Sequence, residues 1–177
     1  MSLNLSANDT FFSIENKGNS VYELANTGGK IFNNITDAVG THIDDIATRL
    51  YRGDLRTPDE IFGSGFTAKG TNSDIVDYVE LNEPSIFIGT SKSPQEAFTK
   101  VSQAQAEGYV YVLGKNGNTT DINNWYNSIE GYPNPYASEL EVVFENAIPS
   151  SNIQGAFKIN SSGDIIGDII INPNFVP

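Results

Sequence analysis

The segment RLYRGDLRTPDEIF, Arg49 to Phe62, decides how the rest of the chain is read. Arg49-Leu50-Tyr51-Arg52 predicts a short strand ending at Gly53-Asp54. Thr57 to Phe62 predicts one helical turn: Thr57 is the N-cap, Pro58 suits the first helical position, and Glu60 closes a capping box. Gly63-Ser64-Gly65 stops it. Between strand and turn lie two arginines, Arg52 and Arg56, around one acid, Asp54. In a chain of formal net charge -12, arginines this close raise the question of which anion they meet. A guanidinium fork matches phosphate or carboxylate, and Gly53 permits close backbone approach. The alternative is a structural ion pair of Arg52 with Asp54.

The bulk composition narrows the classes. The 177 residues suffice for one domain with a real core, and 38% hydrophobic content is that of a folding chain. The net charge of -12 argues against a non-specific grip on nucleic acid or on an anionic membrane. The chain has no cysteine and one histidine. Disulfides, thiolate metal sites, cysteine nucleophiles and multi-histidine metal sites are therefore excluded. His42, among polar residues of a predicted helix, reads as a solvated surface residue. No apolar run reaches membrane-spanning length, and MSLNLSANDTFF lacks the features of a secretion signal. The chain is expected to be cytosolic or a piece of something exported by other means.

Working outward, residues 1–25 read as a polar arm with at most one helical turn. Ile31, Ile35, Val39, Ile43 and Ile46 recur at helical spacing, and Gly40 divides them into two short helices. Downstream, Ser85 to Ile88 predicts a buried strand followed by Gly89-Thr90-Ser91. Ser93-Pro94-Gln95-Glu96 predicts a capping box opening a helix that Gly108 closes. Tyr109 to Leu113 is a strand, residues 116–127 a loop, and Tyr132-Pro133-Asn134-Pro135-Tyr136 a rigid aromatic loop. Ser138 to Phe144 predicts a strand, and Gly155–Ile159 with Ile165–Ile171 a hairpin around Asn160 to Gly163. Strands dominate the second half without βαβ regularity, so the fold class is α+β, mostly antiparallel. The chain divides into an N-terminal arm and helical region, 1–48, and a core, 49–177.

Two further groups carry potential chemistry. In a strand over Ser138–Phe144, Glu139 and Glu141 share a face roughly 6–7 Å apart, while Leu140, Val142 and Phe144 face a core. Two such carboxylates can divide labour at a reacting carbon, or they are an ordinary solvated face. Thr90 and Ser91, at a strand end, can line a cleft or serve as turn chemistry.

The order of these elements resembles the arginine–serine–glutamate class of mono-ADP-ribosyltransferase toxins, in particular the catalytic subunits of cholera and pertussis toxins. Leu50 to Ile61 is similar to the family's opening motif at nearly every position. Gly65 to Gly70 looks like the pertussis-type segment that follows it. Ser138 to Glu141, with Ile148-Pro149 and Asn152-Ile153, looks like the catalytic strand and its exit, and Asn172 to Val176 resembles the pertussis-type end. The resemblance covers Arg49 to Val176 and implies an NAD cleft between two packed, mainly antiparallel sheets flanked by short helices. It implies that Arg52 meets the phosphates and ribose of NAD, with Gly53 and Asp54 in the adjoining loop and Arg56 near the adenylate end. Glu141 would hydrogen-bond the nicotinamide ribose and stabilise the cation formed as nicotinamide leaves. Glu139 is the family's mark of an arginine acceptor, and the Tyr132–Tyr136 loop the substrate-recognition turn.

The chain departs from the family pattern twice. The triplet's usual serine, which orients the glutamate, aligns with Gly89, and a usual histidine aligns with Tyr78. Thr90 or Ser91 is expected to support Glu141 instead, with Tyr78 still able to donate a hydrogen bond.

The resemblance therefore implies a toxin or effector domain, secreted or injected, acting in the target-cell cytoplasm. It would transfer ADP-ribose from NAD to an arginine of a target protein, without metal, nucleic acid or membrane. A delivery partner, or a protective partner plugging the cleft with a basic or aromatic element, fits the same picture. Two rivals stand beside it: an NAD glycohydrolase using the same site with water, and a non-catalytic β-rich interaction module.

Overall fold

The computed structural model describes residues 12–16, 20–24, 49–129, 132–161 and 164–176. The apolar helical stripe from Ile31 to Ile46, and His42 with it, lies outside the described residues. Chain contacts divide the molecule into two units, residues 1–47 and 48–177. Within the first, strands β1 (Phe12–Asn16) and β2 (Ser20–Leu24) form an antiparallel hairpin. An irregular arm was expected there. The alternation in FSIEN and SVYEL is too short to stand out.

The second unit is built on one seven-stranded sheet. Its strands are β3 (Leu50–Asp54), β5 (Phe87–Ser91), β6 (Gly108–Leu113), β7 (Thr119–Asp121), β8 (Glu141–Glu145), β10 (Ile153–Ile159) and β11 (Ile165–Ile171), in the order β11-β10-β6-β3-β5-β8-β7. Every neighbouring pair is antiparallel. A small second sheet pairs β4 (Phe66–Thr67) with β9 (Ala147–Ile148), also antiparallel. Among the described residues of this unit, three α-helices accompany the sheets: α1 (Pro58–Ser64), α2 (Pro94–Gln103) and α3 (Ile122–Asn127). The α+β, mainly antiparallel architecture expected from the sequence is the one observed.

The opening segment folds as its residues dictate. Strand β3 runs Leu50–Asp54, and α1 follows behind Thr57. Thr57 Oγ1 accepts from the Glu60 amide at 3.5 Å, and the Glu60 carboxylate accepts from the Thr57 amide at 2.8 Å. Both halves of the capping box are thus present. The helix runs to Ser64 and ends at Gly65, whose φ of 73° a side chain would strain. Removing the cap with Thr57→Ala is expected to lower stability by about 1 kcal/mol, read as a lower urea midpoint with an unchanged slope. The C-terminal segment locks this helix: Asn174 Nδ2 donates to the Phe62 carbonyl at 2.8 Å, and Asn172 Nδ2 donates to the Ile153 carbonyl at 2.7 Å.

Other expectations are corrected. Gly89-Thr90-Ser91, expected to follow a strand over Ser85–Ile88, is itself the second half of β5, which runs Phe87–Ser91. The Ser93 hydroxyl makes no capping bond; the Ser93 amide donates instead to Ser91 Oγ at 2.8 Å. Helix α2 ends at Gln103, short of Gly108, and Gln105 rather than a glycine takes the left-handed turn. Residues 116–127, expected as a loop, hold β7 and α3, the latter capped by Asp121 accepting from the Asn124 amide at 3.0 Å.

The sheet divides the apolar interior. Leu50, Ile88, Val142 and Phe144 join Phe62, Phe66 and Tyr111 in one cluster, while Phe87 and Val143 join Ile122 and Tyr126 in another. Period-two alternation along β5 and β8 puts these clusters on opposite faces.

Candidate active site

The feature that makes a site is a break in the sheet. Strands β3 and β5 are neighbours, yet a single register pair, Tyr51 with Ser91, joins them. By contrast, β3 pairs with β6 along all five residues. Beyond Tyr51 and Ser91 the two strands no longer bond, and Arg52 occupies the opening. Its Nη1 donates to the Gly89 carbonyl at 2.6 Å. By alternation Arg52 leaves β3 on the side of Leu50, and Glu141 leaves β8 on the side of Val143. The gap between β3 and β5 lets these two side chains approach one position, Gly89, from either side.

The arginine end is strongly organised. Asp54 accepts from the Arg56 amide at 3.0 Å, from its Nε at 2.9 Å and from its Nη2 at 2.7 Å. Asp54 also pairs with Arg52 at 3.6 Å. The two guanidinium groups lie 5.1 and 5.3 Å from the ring centre of Phe66, which stacks them by cation–π attraction. Tyr111 stands edge-on to Phe66 and donates to the Arg56 carbonyl at 2.7 Å. Burial pushes the Arg52 guanidinium below its ordinary value, with Asp54 opposing the shift. Burial raises the Asp54 carboxyl, but hydrogen bonds from Arg56 and the charges of both arginines outweigh it and hold it below the usual carboxylate range. The sequence named both arginines and the acid; it gave no sign that Phe66 lies against them. Gly53 does allow close approach, though of protein: a side chain there would strike the Ala97 carbonyl of α2.

The acidic end differs from the expected strand geometry. Strand β8 begins at Glu141; residues 137–139 form a 3-10 turn, and Leu140 has a left-handed φ of 49°. Alternation therefore does not relate Glu139 to Glu141. Glu139 stands 3.5 Å from Lys100 of α2. The turn is held by Ser91 Oγ, which donates to the Glu139 carbonyl at 2.7 Å, and by the Lys92 amide on the Leu140 carbonyl at 3.1 Å. Thr90 Oγ1 donates to the Val142 carbonyl at 2.5 Å. Both hydroxyls of the triplet thus serve the main chain, and neither reaches the Glu141 carboxylate.

Tyr78 reaches it instead. Its hydroxyl donates to Glu141 Oε1 at 2.6 Å. Burial raises the Glu141 carboxyl above its ordinary value; the Tyr78 bond opposes this, and the nearby Glu139 charge adds to it. Burial and the Glu141 charge likewise push the Tyr78 phenol well up, so it stays protonated and able to donate. Tyr132, Pro133, Pro135, Tyr136 and Glu80 line a groove of about 450 Å³. The Tyr136 carbonyl accepts from the Glu139 amide at 3.0 Å, which joins that aromatic loop to the Glu139 turn. Among the described residues no helix is long and apolar enough to cross a membrane, and no cluster of three or more His, Asp or Glu could hold a metal.

A split antiparallel sheet with an arginine from one half and a glutamate from the other is the ADP-ribosyltransferase fold. The chain belongs to the Scabin-like family, whose profile matches residues 50–175. Among curated relatives it is 29% identical over 133 residues to a guanine-specific ADP-ribosyl transferase of Streptomyces coelicolor, covering 72% of this chain and 61% of that protein. It is also 29% identical over 143 residues to pierisin of Pieris brassicae, covering 75% of this chain and 16% of that protein. Pertussis toxin subunit 1 of Bordetella pertussis matches at 36% over 69 residues, 39% of this chain and 24% of that one. The chain thus spans less than two thirds of these relatives. The Scabin toxin of Streptomyces scabies, solved in complex with NADH, superposes with a TM-score of 0.62 at 24% identity, covering 73% of this chain and 76% of that one. A solved guanine-specific ADP-ribosyltransferase superposes equally well, with a TM-score of 0.62 at 27% identity, covering 73% and 78%.

Proposed function

We propose that this chain is a mono-ADP-ribosyltransferase toxin domain that takes NAD as substrate and transfers its ADP-ribose to an arginine of a target protein. The observation that carries the reading is the approach of Arg52 and Glu141 to Gly89 from opposite sides of the split sheet. Arg52 and Arg56 supply guanidinium forks for the pyrophosphate. Glu141, in a partly desolvated position, supplies negative charge where the ribose becomes cationic as the bond to nicotinamide breaks. That NADH sits in the Scabin structure supports the same ligand class here. Thr90 and Ser91 contribute by holding β8 and the Glu139 turn in place rather than by direct contact.

Glu139 supports arginine as acceptor. A carboxylate accepts a guanidinium through two parallel hydrogen bonds and can relieve it of a proton during attack. The present partner, Lys100, is 57% exposed and 3.5 Å away, so it is readily exchanged. The net charge of -12 also favours a cationic acceptor over a polyanionic nucleic acid. A second reading has its own support: two of the similar proteins are named as guanine-specific. The guanine edge presents N–H groups to a carboxylate much as guanidinium does, and Tyr132 and Tyr136 offer exposed faces for stacking a base.

The test is NAD labelled in its adenylate half, incubated with the protein and a cell lysate. Label on protein arginine supports the reading. Label on DNA or guanosine supports guanine instead. Free ADP-ribose alone means a glycohydrolase, and intact NAD means an interaction module. Glu139→Gln is expected to reduce transfer to arginine by about 10²-fold or more, the size of a general acid–base contribution, while nicotinamide release into water persists. Delivery from outside the target cell, and a protective partner for the producing cell, belong to the same proposal.

A further inference from the structure

At position 89 the strand facing Glu141 has no side chain. A Cβ built there would lie 2.5 Å from Glu141 Oε1 and 2.6 Å from the Tyr78 hydroxyl, closer than real Cβ atoms come. The space such a side chain would need is filled by Tyr78. That residue arrives from a single turn of π-helix, Asp77–Leu81, a rare geometry that re-aims a side chain. The turn is well anchored: Asp74 Oδ1 accepts from the Val76 amide at 2.8 Å, and Asn72 Nδ2 donates to Asp77 Oδ2 at 3.0 Å. The Tyr78 ring lies 5.4 Å from that of Phe87. Its hydroxyl is the hydrogen-bond donor that holds Glu141 Oε1 among the described residues.

We propose that Tyr78 is the positioning residue for Glu141, and that Gly89 is its obligatory complement, so that the two positions work as a pair. This rests on the reading of Glu141 as the group that meets the nicotinamide ribose. The groups that act on that carboxylate include Tyr78 from the π-turn, Glu139 from the 3-10 turn, Lys100 from α2 and Arg52 from β3. Tyr78 alone among them is drawn to it by a direct hydrogen bond. Losing the hydroxyl frees the carboxylate to rotate and removes a bond that favours its charged form. A serine at position 89 would collide in the presence of Tyr78. With phenylalanine at 78 the collision with the hydroxyl is gone; the remaining collision of the new Cβ with Glu141 Oε1 is relieved by rotation of that carboxylate, the far end of a flexible side chain, and the serine Oγ can then take over the bond.

The experiment measures nicotinamide release from NAD against pH for the wild type, Tyr78→Phe, Gly89→Ser and the double variant. It is joined by an NMR titration of the Glu141 side-chain carboxyl in wild type and Tyr78→Phe. Tyr78→Phe keeps the ring against Phe87 and is expected to fold. Its kcat should fall about 10- to 100-fold, the worth of one hydrogen bond to a charged group, with KM for NAD little changed. Its acid limb and the Glu141 titration midpoint should both move to higher pH, which a merely structural role would not produce. Gly89→Ser should also lose activity, and the double variant should be more active than Gly89→Ser. An unshifted Glu141 midpoint in Tyr78→Phe, an unchanged kcat there, or a double variant no better than Gly89→Ser overturns the pairing. Absence of nicotinamide release by the wild type overturns the proposed function instead, and the carboxyl titration then still decides whether Tyr78 positions Glu141.

Discussion

Glu141→Gln is expected to slow nicotinamide release from NAD by about 10²–10³-fold, the size seen when one group stabilising developing charge is removed from an enzyme site. The loss should fall on kcat, since the carboxylate's charge matters most once the ribose has become cationic. Glutamine keeps the shape and still accepts the bond from Tyr78, so the fold should be retained. Stability should be equal or slightly higher, because a partly buried charge has been removed. The pH dependence follows from the direction of the shift. Burial holds the Glu141 carboxyl above the ordinary carboxylate range, against the pull of Tyr78. In the proposed reaction the charged form is the active one, so activity should fall as pH drops through that raised value, above the range in which an exposed glutamate titrates. The residual activity of Glu141→Gln should lack this limb. A variant whose rate stays within a few-fold of wild type would remove Glu141 from the chemistry.

Asp54→Ala should cause the largest loss of stability. The side chain of Asp54 is 12% exposed and is shared by Arg52 at 3.6 Å and Arg56 at 2.7 Å. Removing it leaves Arg52, 20% exposed, with the Gly89 carbonyl and the Phe66 face as its remaining partners. Breaking a buried charge pair on one side costs about 3–5 kcal/mol. Arg56 is 41% exposed and recovers water, so the lower end, about 3 kcal/mol, is expected here. That corresponds to a fall in Tm of roughly 10 °C for a unit of this size. Because the folded Asp54 carboxyl titrates below its unfolded value, its contribution is present above the unfolded pKa and is lost as pH falls through the folded one. The advantage of wild type over Asp54→Asn should therefore shrink below about pH 4. A loss under about 1 kcal/mol for Asp54→Ala, too small for a broken buried pair, would mean that the arginines are held by something other than this acid.

Much of this was legible in the sequence because it rests on local chemistry. The capping box of Thr57 and Glu60, the strand around Tyr51 and the hairpin of β10 and β11 depend on residues close in the chain. Their patterns survived into the structure. The strand expected over Ser138–Phe144 did not survive at its start. Nothing in Ser-Glu-Leu-Glu announces that Leu140 turns left-handed, since that turn is imposed by Ser91 and Lys92, nearly fifty residues away in the chain. The same limit hid Phe66 beneath the arginines. It also concealed the reason for Gly89, which becomes visible only when Tyr78, eleven residues earlier, is found on the same carboxylate.

The single rung between β3 and β5 has a mechanical consequence. A continuous ladder resists the parting of neighbouring strands with every bond along it, whereas here the separation of the cationic and anionic jaws is restrained by one backbone pair, Tyr51 with Ser91, by the grip of Arg52 on the Gly89 carbonyl, and by the packing of α2 on both strands. Releasing the arginine's grip would lower the resistance to widening the site, with both halves of the sheet left whole. A molecule that enters in one piece and departs in two would be well served by such a hinge.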